Sequence, residues 1–350
     1  MDKIINRTTL ASVAFFVVAM AVVVYLSVTK QIEISNVTSD EISESKIESE
    51  VIEVPSDHHI LFGDNVQNSE YLCIPLPSMT EPEDITIENH YMDKELHVII
   101  KGVNQSFYEA LALSGNRTAI EEGFYYPVED GIRIQLNMKE IYEYKTIFEN
   151  NALYISFLNP REVYEKIVVI DPGYGGNSAG DESGELNEKS ISLSVAKAVK
   201  EKMEDDETKV YFTRMDDVNP SDTDRIKLAN GTKADMYIRI ETDLQEDESV
   251  YGVTAVYNDE YFIPGFGNVE LSDIMETAVV TAVKGKALGL KAFEENDTTL
   301  KYATVPATTI RVGCLSNKQE AILLGREDYM EKLAQGICDG IKTAYEQMGK

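Results

Sequence analysis

At 350 residues the chain has room for two domains, each large enough to bury its own core. Its 61 Asp and Glu against 32 Lys and Arg give a formal charge of −29, which excludes nucleic acid as a partner and disfavours anionic lipid or anionic wall polymer held by charge alone. Three cysteines, Cys73, Cys314 and Cys338, are too few and too scattered for a disulfide framework or a zinc knuckle, and read as buried thiols.

The N-terminus carries an address. Leu10 to Val28 is a run of about 19 uncharged residues, long enough to span a hydrocarbon core as a helix. Lys3 and Arg7 precede it, and an acidic stretch follows Lys30. The positive-inside rule then makes residues 1–9 cytoplasmic, 10–29 a transmembrane helix and everything beyond extracytoplasmic: a single-pass protein of the cell membrane. A cleaved signal peptide competes, because Ala19-Met20-Ala21 has the small-x-small form of a cleavage site. That tripeptide lies inside the apolar run, however, and Val22-Val23-Val24-Tyr25-Leu26 carries the run to spanning length, which favours an uncleaved anchor. Residues 30–65, rich in Glu, Asp and Ser, read as a solvated, self-repelling tether.

Residues 66–162 are β-rich. Ile85 to Tyr91 and Leu96 to Ile100 alternate in polarity around a turn at Met92–Glu95, which predicts a hairpin. Further strands are expected at Gly131–Leu136 and Ala152–Phe157, and short strands at this spacing suggest a small β-sandwich. The chain's four histidines all lie at or before His97. By residue type His58-His59 and the His90/His97 pair are possible metal ligands, but two in a linker and two on opposed hairpin strands are expected to hold no metal.

From Lys166 the pattern changes to strand–helix alternation over residues 166–350. Strands are expected at Ile167–Ile170, Lys209–Thr213, Met236–Ile240, Gly252–Tyr257 and Thr308–Val312. Helices are expected at Asn187–Met203, capped by Asn187, and at Asp222–Asn230, Leu271–Val283 and Tyr329–Gln347. The fold class is therefore α/β, a mainly parallel twisted sheet flanked by helices on both faces. It is preceded by the small β-sandwich and the N-terminal transmembrane helix, and its ligand site is expected beyond the carboxyl ends of the strands.

A spaced set of residues marks this second half. Asp171-Pro172-Gly173 and Gly175-Gly176 follow the first strand, and Asn187-Glu188-Lys189 opens the first helix. Thr213-Arg214, Asp217, Arg225, Ala229-Asn230, Ala234-Asp235 and Pro306-Ala307 come next, and Val312-Gly313-Cys314-Leu315-Ser316-Asn317 closes the series. In these positions the segment from Lys166 onward resembles the zinc-dependent N-acetylmuramoyl-L-alanine amidases, which cut the bond between the glycan and the stem peptide of peptidoglycan. In layout, the β-rich segment is similar to the β-sandwich targeting domains that precede such amidases and bind peptidoglycan.

The resemblance implies three zinc ligands and a catalytic glutamate, and three of those four positions depart from the pattern. Tyr174 stands where the first ligand histidine is implied, Glu188 keeps the second ligand, Glu241 replaces the third, and Arg311 replaces the catalytic glutamate. A neutral phenol is a poor ligand, and a guanidinium cannot act as a general base. By strand alternation Arg239, Glu241 and Asp243 share one face. These six residues are thus expected to form a degenerate site in which arginine–carboxylate pairs replace the metal, with no zinc, no other cofactor and no catalytic residue. Glu188, Glu241 and Asp243 would alternatively make an oxygen-only Ca²⁺ or Mg²⁺ site, which the two arginines disfavour. The reading that follows is a membrane-tethered amidase-like protein that binds peptidoglycan or a wall-processing protein. An active amidase with an altered site and a purely structural ectodomain stand as alternatives.

Overall fold

The computed structural model describes residues 36–38, 58–65, 69–109, 111–204 and 206–350. The expected cytoplasmic segment 1–9, the transmembrane helix over 10–29 and most of the tether over 30–65 lie outside the described residues. Among the described residues no helix is long and apolar enough to cross a membrane.

The first half forms two five-stranded sheets. One has the order β1-β4-β5-β8-β7, from Asn36–Thr38, Ile85–His90, Glu95–Lys101, Gly131–Met138 and Ile120–Val128. The other has the order β2-β6-β3-β10-β9, from Leu61–Asn65, Ala112–Gly115, Leu72–Pro75, Ala152–Leu158 and Glu143–Glu149. The faces alternate as a half-buried sheet requires: β4 buries Ile85, Ile87 and Asn89 and turns Thr86, Glu88 and His90 outward. One apolar core joins the sheets, with Ile87, Val98, Ile100 and Ile134 from the first facing Leu72, Ile74, Leu113 and Leu153 from the second. The sheets extend upstream of the expected boundary at residue 66. Leu61–Asn65 pairs with β6 and Asn36–Thr38 with β4, so parts of the 30–65 segment are strand and not tether.

The second half is a six-stranded sheet of order β14-β11-β15-β18-β16-β17. Its strands are Lys209–Phe212, Ile167–Pro172, Met236–Asp243, Ala307–Cys314, Val253–Tyr257 and Ala287–Ala292. The first four run parallel; β16 is antiparallel to β18 and parallel to β17. β11 is buried along its whole length, as a central strand covered on both faces must be. Val168 and Ile170 point to one face, where α1 (Glu188–Met203), α3 (Asn268–Val283) and α6 (Glu327–Met348) pack. Ile167 and Val169 point to the other face, toward α2 (Asp222–Thr232) and α4 (Thr298–Tyr302). Asn187 and Ser221 cap α1 and α2 by accepting from the amides of Ser190 and Asp224.

The two halves share that second core. Tyr91, at the tip of the β4–β5 hairpin, and Ile141 are buried among Ile167, Val169, Tyr211 and Tyr237. The Tyr91 hydroxyl donates to the Phe212 carbonyl at 2.9 Å, and the Tyr211 hydroxyl donates to the Glu143 carboxylate. Arg161, in the connection, donates to the Lys233 carbonyl and pairs with Asp235 at 2.7 Å.

Candidate functional site

The carboxyl ends of β11, β15 and β18 lie side by side, and the loop 173–187 leads from β11 into α1. Two arginines fix the start of that loop. Arg225 is fully buried on α2; it donates to the Asp171 carboxylate, to Pro172 O at 2.9 Å and to Tyr174 O at 2.7 Å. Arg214 donates to Pro172 O at 2.9 Å and to Gly173 O at 2.8 Å. Lys189 adds Gly176 O at 2.8 Å and Asp217 Oδ2 at 2.6 Å, and Asp217 Oδ1 accepts from the Gly176 amide. The spaced residues read from the sequence thus turn out to be the fixtures of the loop. They satisfy carbonyls that a tight, buried turn would otherwise leave without partners.

Tyr174 occupies the left-handed backbone region, with φ of 61°. Its neighbours are crowded close. A side chain on Gly173 would meet Glu241 Cγ at 2.9 Å, and one on Gly180 would meet Glu188 Oε2 at 2.6 Å and Tyr174 Cδ2 at 2.9 Å. Tyr174, Glu188 and Glu241 therefore gather around two positions that admit only glycine. Burial, then the negative charges of Glu241 and Glu188, push the Tyr174 phenol above its ordinary range, so it stays protonated.

Glu188 opens α1 and is buried. Its two oxygens accept from the Thr242 amide at 2.6 Å and the Asp181 amide at 3.0 Å. Burial foremost, then Glu241, raises its carboxyl to about 7, against the lowering effect of those two amides. Among the described residues no arginine is hydrogen-bonded or ion-paired to it.

Glu241 instead takes the cation. Arg239 Nε donates to Glu241 Oε1 at 2.6 Å, while its Nη1 lies 3.3 Å from Asp171 Oδ2 and 3.2 Å from Asp222 Oδ1. The guanidinium also sits 5.9 Å from the centre of the Tyr174 ring. Asp171 is fully buried. Burial alone would raise its carboxyl, but Arg225, Arg239 and the hydroxyls of Thr213 and Tyr237 outweigh that and hold it at about 2.

Arg311 stands beside Glu241 in the strand register, yet its guanidinium turns to Asp243 Oδ1 at 3.4 Å. A bulge follows at once: Glu241 pairs with Arg311, but Asp243 pairs with Cys314, three residues on. The Glu320 carboxylate holds the bulge through the amides of Cys314 (2.7 Å) and Gly252 (2.9 Å). Counting from Arg311 along an unbroken strand places Cys314 on the opposite face; the bulge breaks that count. Its thiol is buried 3.9 Å from Gly252 O, among charges that include Asp243 and Arg311.

The six expected residues thus form two adjoining groups: Tyr174, Glu188 and Glu241 with Arg239, and Arg311 with Asp243. Sequence reasoning missed Asp171 and Asp222 as partners of Arg239, and Asp181 as the amide donor to Glu188. Asp171 stands in the spaced set and lies opposite Arg239 in the β11–β15 register, whereas Asp222 and Asp181 carry no local signal, since they reach the site from a helix start and a loop distant in the chain.

Residues 168–343 match the family model of the N-acetylmuramoyl-L-alanine amidases. The chain belongs to this family. Among proteins similar to it, the germination-specific N-acetylmuramoyl-L-alanine amidase of Bacillus subtilis (strain 168) is 28% identical over 227 residues, covering 60% of this chain and 91% of that protein. The probable cell wall amidase LytH of Staphylococcus aureus is 28% identical over 184 residues, covering 51% of this chain and 58% of that protein. A solved N-acetylmuramoyl-L-alanine amidase from Clostridium difficile 630 is 30% identical with a TM-score of 0.48, covering 52% of this chain and 96% of the other. The family match covers the part of the chain that holds the Tyr174–Glu188–Glu241 cluster.

Proposed function

We propose that this member of the amidase family no longer binds zinc and does not hydrolyse the glycan–peptide bond. On this reading it binds peptidoglycan, or a wall-processing protein, and positions or regulates wall remodelling from an extracytoplasmic site tethered by the N-terminal helix. The observation that carries the reading is the Arg239–Glu241 pair: the carboxylate at the third ligand position is engaged by a guanidinium at 2.6 Å.

The other positions argue the same way. A catalytic zinc ion needs three donors with free lone pairs and one open coordination place. Tyr174 keeps its proton, Glu241 is taken by Arg239, and Arg311 brings a positive charge where a proton acceptor would be needed, so Glu188 alone remains as a donor. These residues do not fit the ion. Nor do Glu188, Glu241 and Asp243 bring their oxygens into one cluster suited to a harder cation, among the described residues. Peptidoglycan as the ligand class rests on the family and on the names of its relatives. With a charge of −29, recognition would run through hydrogen bonds and shape.

One observation favours the second reading, an amidase with an altered site: a carboxyl at about 7, as in Glu188, is suited to proton transfer at neutral pH. Purified protein assayed for zinc content and for release of peptides from muropeptides separates the two. Absence of zinc held through Glu188 and of cleavage, together with retention on isolated sacculi, is the expected result. Stoichiometric zinc bound through Glu188, or cleavage abolished by Glu188→Gln, overturns it. Loss of retention on sacculi would leave a purely structural ectodomain.

A further inference from the structure

We propose that the outer face of the β4–β5 hairpin is a site for a divalent transition-metal ion of the zinc class, with Glu88, His90 and His97 as ligands and Glu95 orienting His97. The sequence spacing of these histidines predicts no such role; the antiparallel register creates it. Glu88 lies directly opposite His97, and His90 opposite Glu95. Alternation puts all four on the face away from the sandwich core, because Ile87 and Asn89 on one strand and Leu96 and Val98 on the other face inward.

The geometry is that of a metal site awaiting small closure. One ligand atom from each of Glu88, His90 and His97 lies within 4.8 Å of the others. Glu88 Oε2 is 3.2 Å from His90 Nε2 and 4.0 Å from His97 Nδ1, and the two imidazole rings are 4.2 Å apart between centres. Tetrahedral zinc with bonds of about 2.0–2.1 Å sets its donors roughly 3.3 Å apart, so rotations of the side chains complete the arrangement.

A second observation points the same way. His97 Nε2 sits 2.8 Å from Glu95 Oε2, on the side of the ring away from Glu88. A proton on Nε2 donated to Glu95 leaves the Nδ1 lone pair facing Glu88 and His90. A carboxylate that fixes the tautomer and orientation of an imidazole in this way is the usual outer partner of a metal-bound histidine. Two imidazoles among three donors select zinc, copper or nickel over calcium or magnesium. The other histidine pair is tied up separately, with His58 Nε2 3.0 Å from Gln105 and the His59 ring against Phe124. His90 precedes Tyr91, whose hydroxyl holds Phe212 of the α/β half. An ion bridging β4 and β5 would therefore stiffen the hairpin at the joint between the two halves.

The test is calorimetric titration of chelator-treated full-length protein with Zn²⁺ alone, alongside thermal unfolding. One ion per chain is expected, with a raised unfolding midpoint. His90→Ala/His97→Ala should weaken binding at least 100-fold, and Glu95→Gln about 10- to 100-fold. His58→Ala/His59→Ala and Glu188→Gln should leave affinity unchanged, with circular dichroism verifying that each variant folds. No binding by the wild-type protein, unchanged binding in the His90/His97 variant, or loss of binding in Glu188→Gln would each overturn the inference. The last outcome alone also counts against a zinc-free amidase-like site.

Discussion

Arg239 and Glu241 stand two residues apart on one face of β15, and the guanidinium Nε donates to the carboxylate at 2.6 Å. The same guanidinium faces Asp171, which is fully buried, and Asp222. Removing it leaves the nearly buried Glu241 without a cation and takes one of two guanidinium groups from Asp171, which keeps Arg225, whereas removing Glu241 leaves Arg239 two other anions. The consequence is an asymmetry between the two substitutions. Arg239→Met should cost about 3–5 kcal/mol of stability in urea denaturation, and Glu241→Gln clearly less. A double-mutant cycle gives their coupling; equal costs for the two single variants would contradict the arrangement.

Glu188 makes stability depend on pH in an unusual sense. Its carboxyl sits at about 7 in the folded protein against 4.5 for an ordinary glutamate. Between those values the folded chain keeps a proton that the unfolded chain has released, so this group's contribution declines as pH rises from about 4.5 to about 7. Asp171 acts oppositely: held at about 2 against 3.8, it contributes above about pH 4, and that contribution is lost as pH falls toward 2. Glu188→Gln should remove the first slope only. A constant cost is expected from one lost amide bond, because glutamine has a single acceptor oxygen. The variant should gain on the wild type by on the order of 2–3 kcal/mol between pH 5 and pH 8, read from urea midpoints at each pH. A parallel pH profile for both proteins would show that Glu188 titrates normally.

Much of this was legible in the sequence, and the exceptions have physical causes. The parallel strands β11, β14, β15 and β18 announce themselves as apolar runs, and α1 by its Asn187 cap. β17 does not, because Ala287–Ala292 is a largely exposed edge strand interrupted by Gly289 at φ of 90°. β7 hides for a related reason: Gly123 and Pro127 weaken its pattern, and proline is tolerated because the strand lies at the sheet edge. In the site, alternation along β15 puts Arg239 and Glu241 on one face, since both belong to one strand. The turn of Arg311 toward Asp243 was not legible, because it follows a bulge fixed by Glu320 from a later helix. Pairings within one element can be read from spacing; pairings set by a distant side chain cannot.

Two tyrosine hydroxyls cross the joint between the two halves, beside the shared core and Arg161. Tyr211 donates to Glu143, a buried carboxylate whose other neighbours include Lys209 at 3.5 Å and Tyr164, and Tyr91 donates to Phe212 O. Tyr211→Phe keeps the ring and removes one donor, leaving Glu143 underpaired in a buried place. We expect a loss of about 1–3 kcal/mol. The loss should be seen equally by probes in the sandwich and in the α/β half, because the shared core makes them unfold together. Separate transitions in the wild-type protein would show that the joint is weaker than its burial implies.

Restoring the implied ligands tests whether the scaffold still admits zinc. Tyr174→His, Glu241→His and Arg311→Glu rebuild three imidazole or carboxylate positions around Glu188, yet they leave Arg239 without its 2.6 Å partner. That guanidinium would then lie next to the introduced imidazole and repel the ion. The triple variant should gain only weak zinc binding. Adding Arg239→Gln removes the charge and retains an amide to donate to Asp171, and should strengthen binding at least tenfold, about 1.4 kcal/mol, in calorimetric titration. The measurement belongs in a His90→Ala/His97→Ala background, so that any ion bound is held by the rebuilt site. Equal affinities with and without Arg239→Gln would mean that the arginine does not face the metal position and that its charge is not what weakens the ion there.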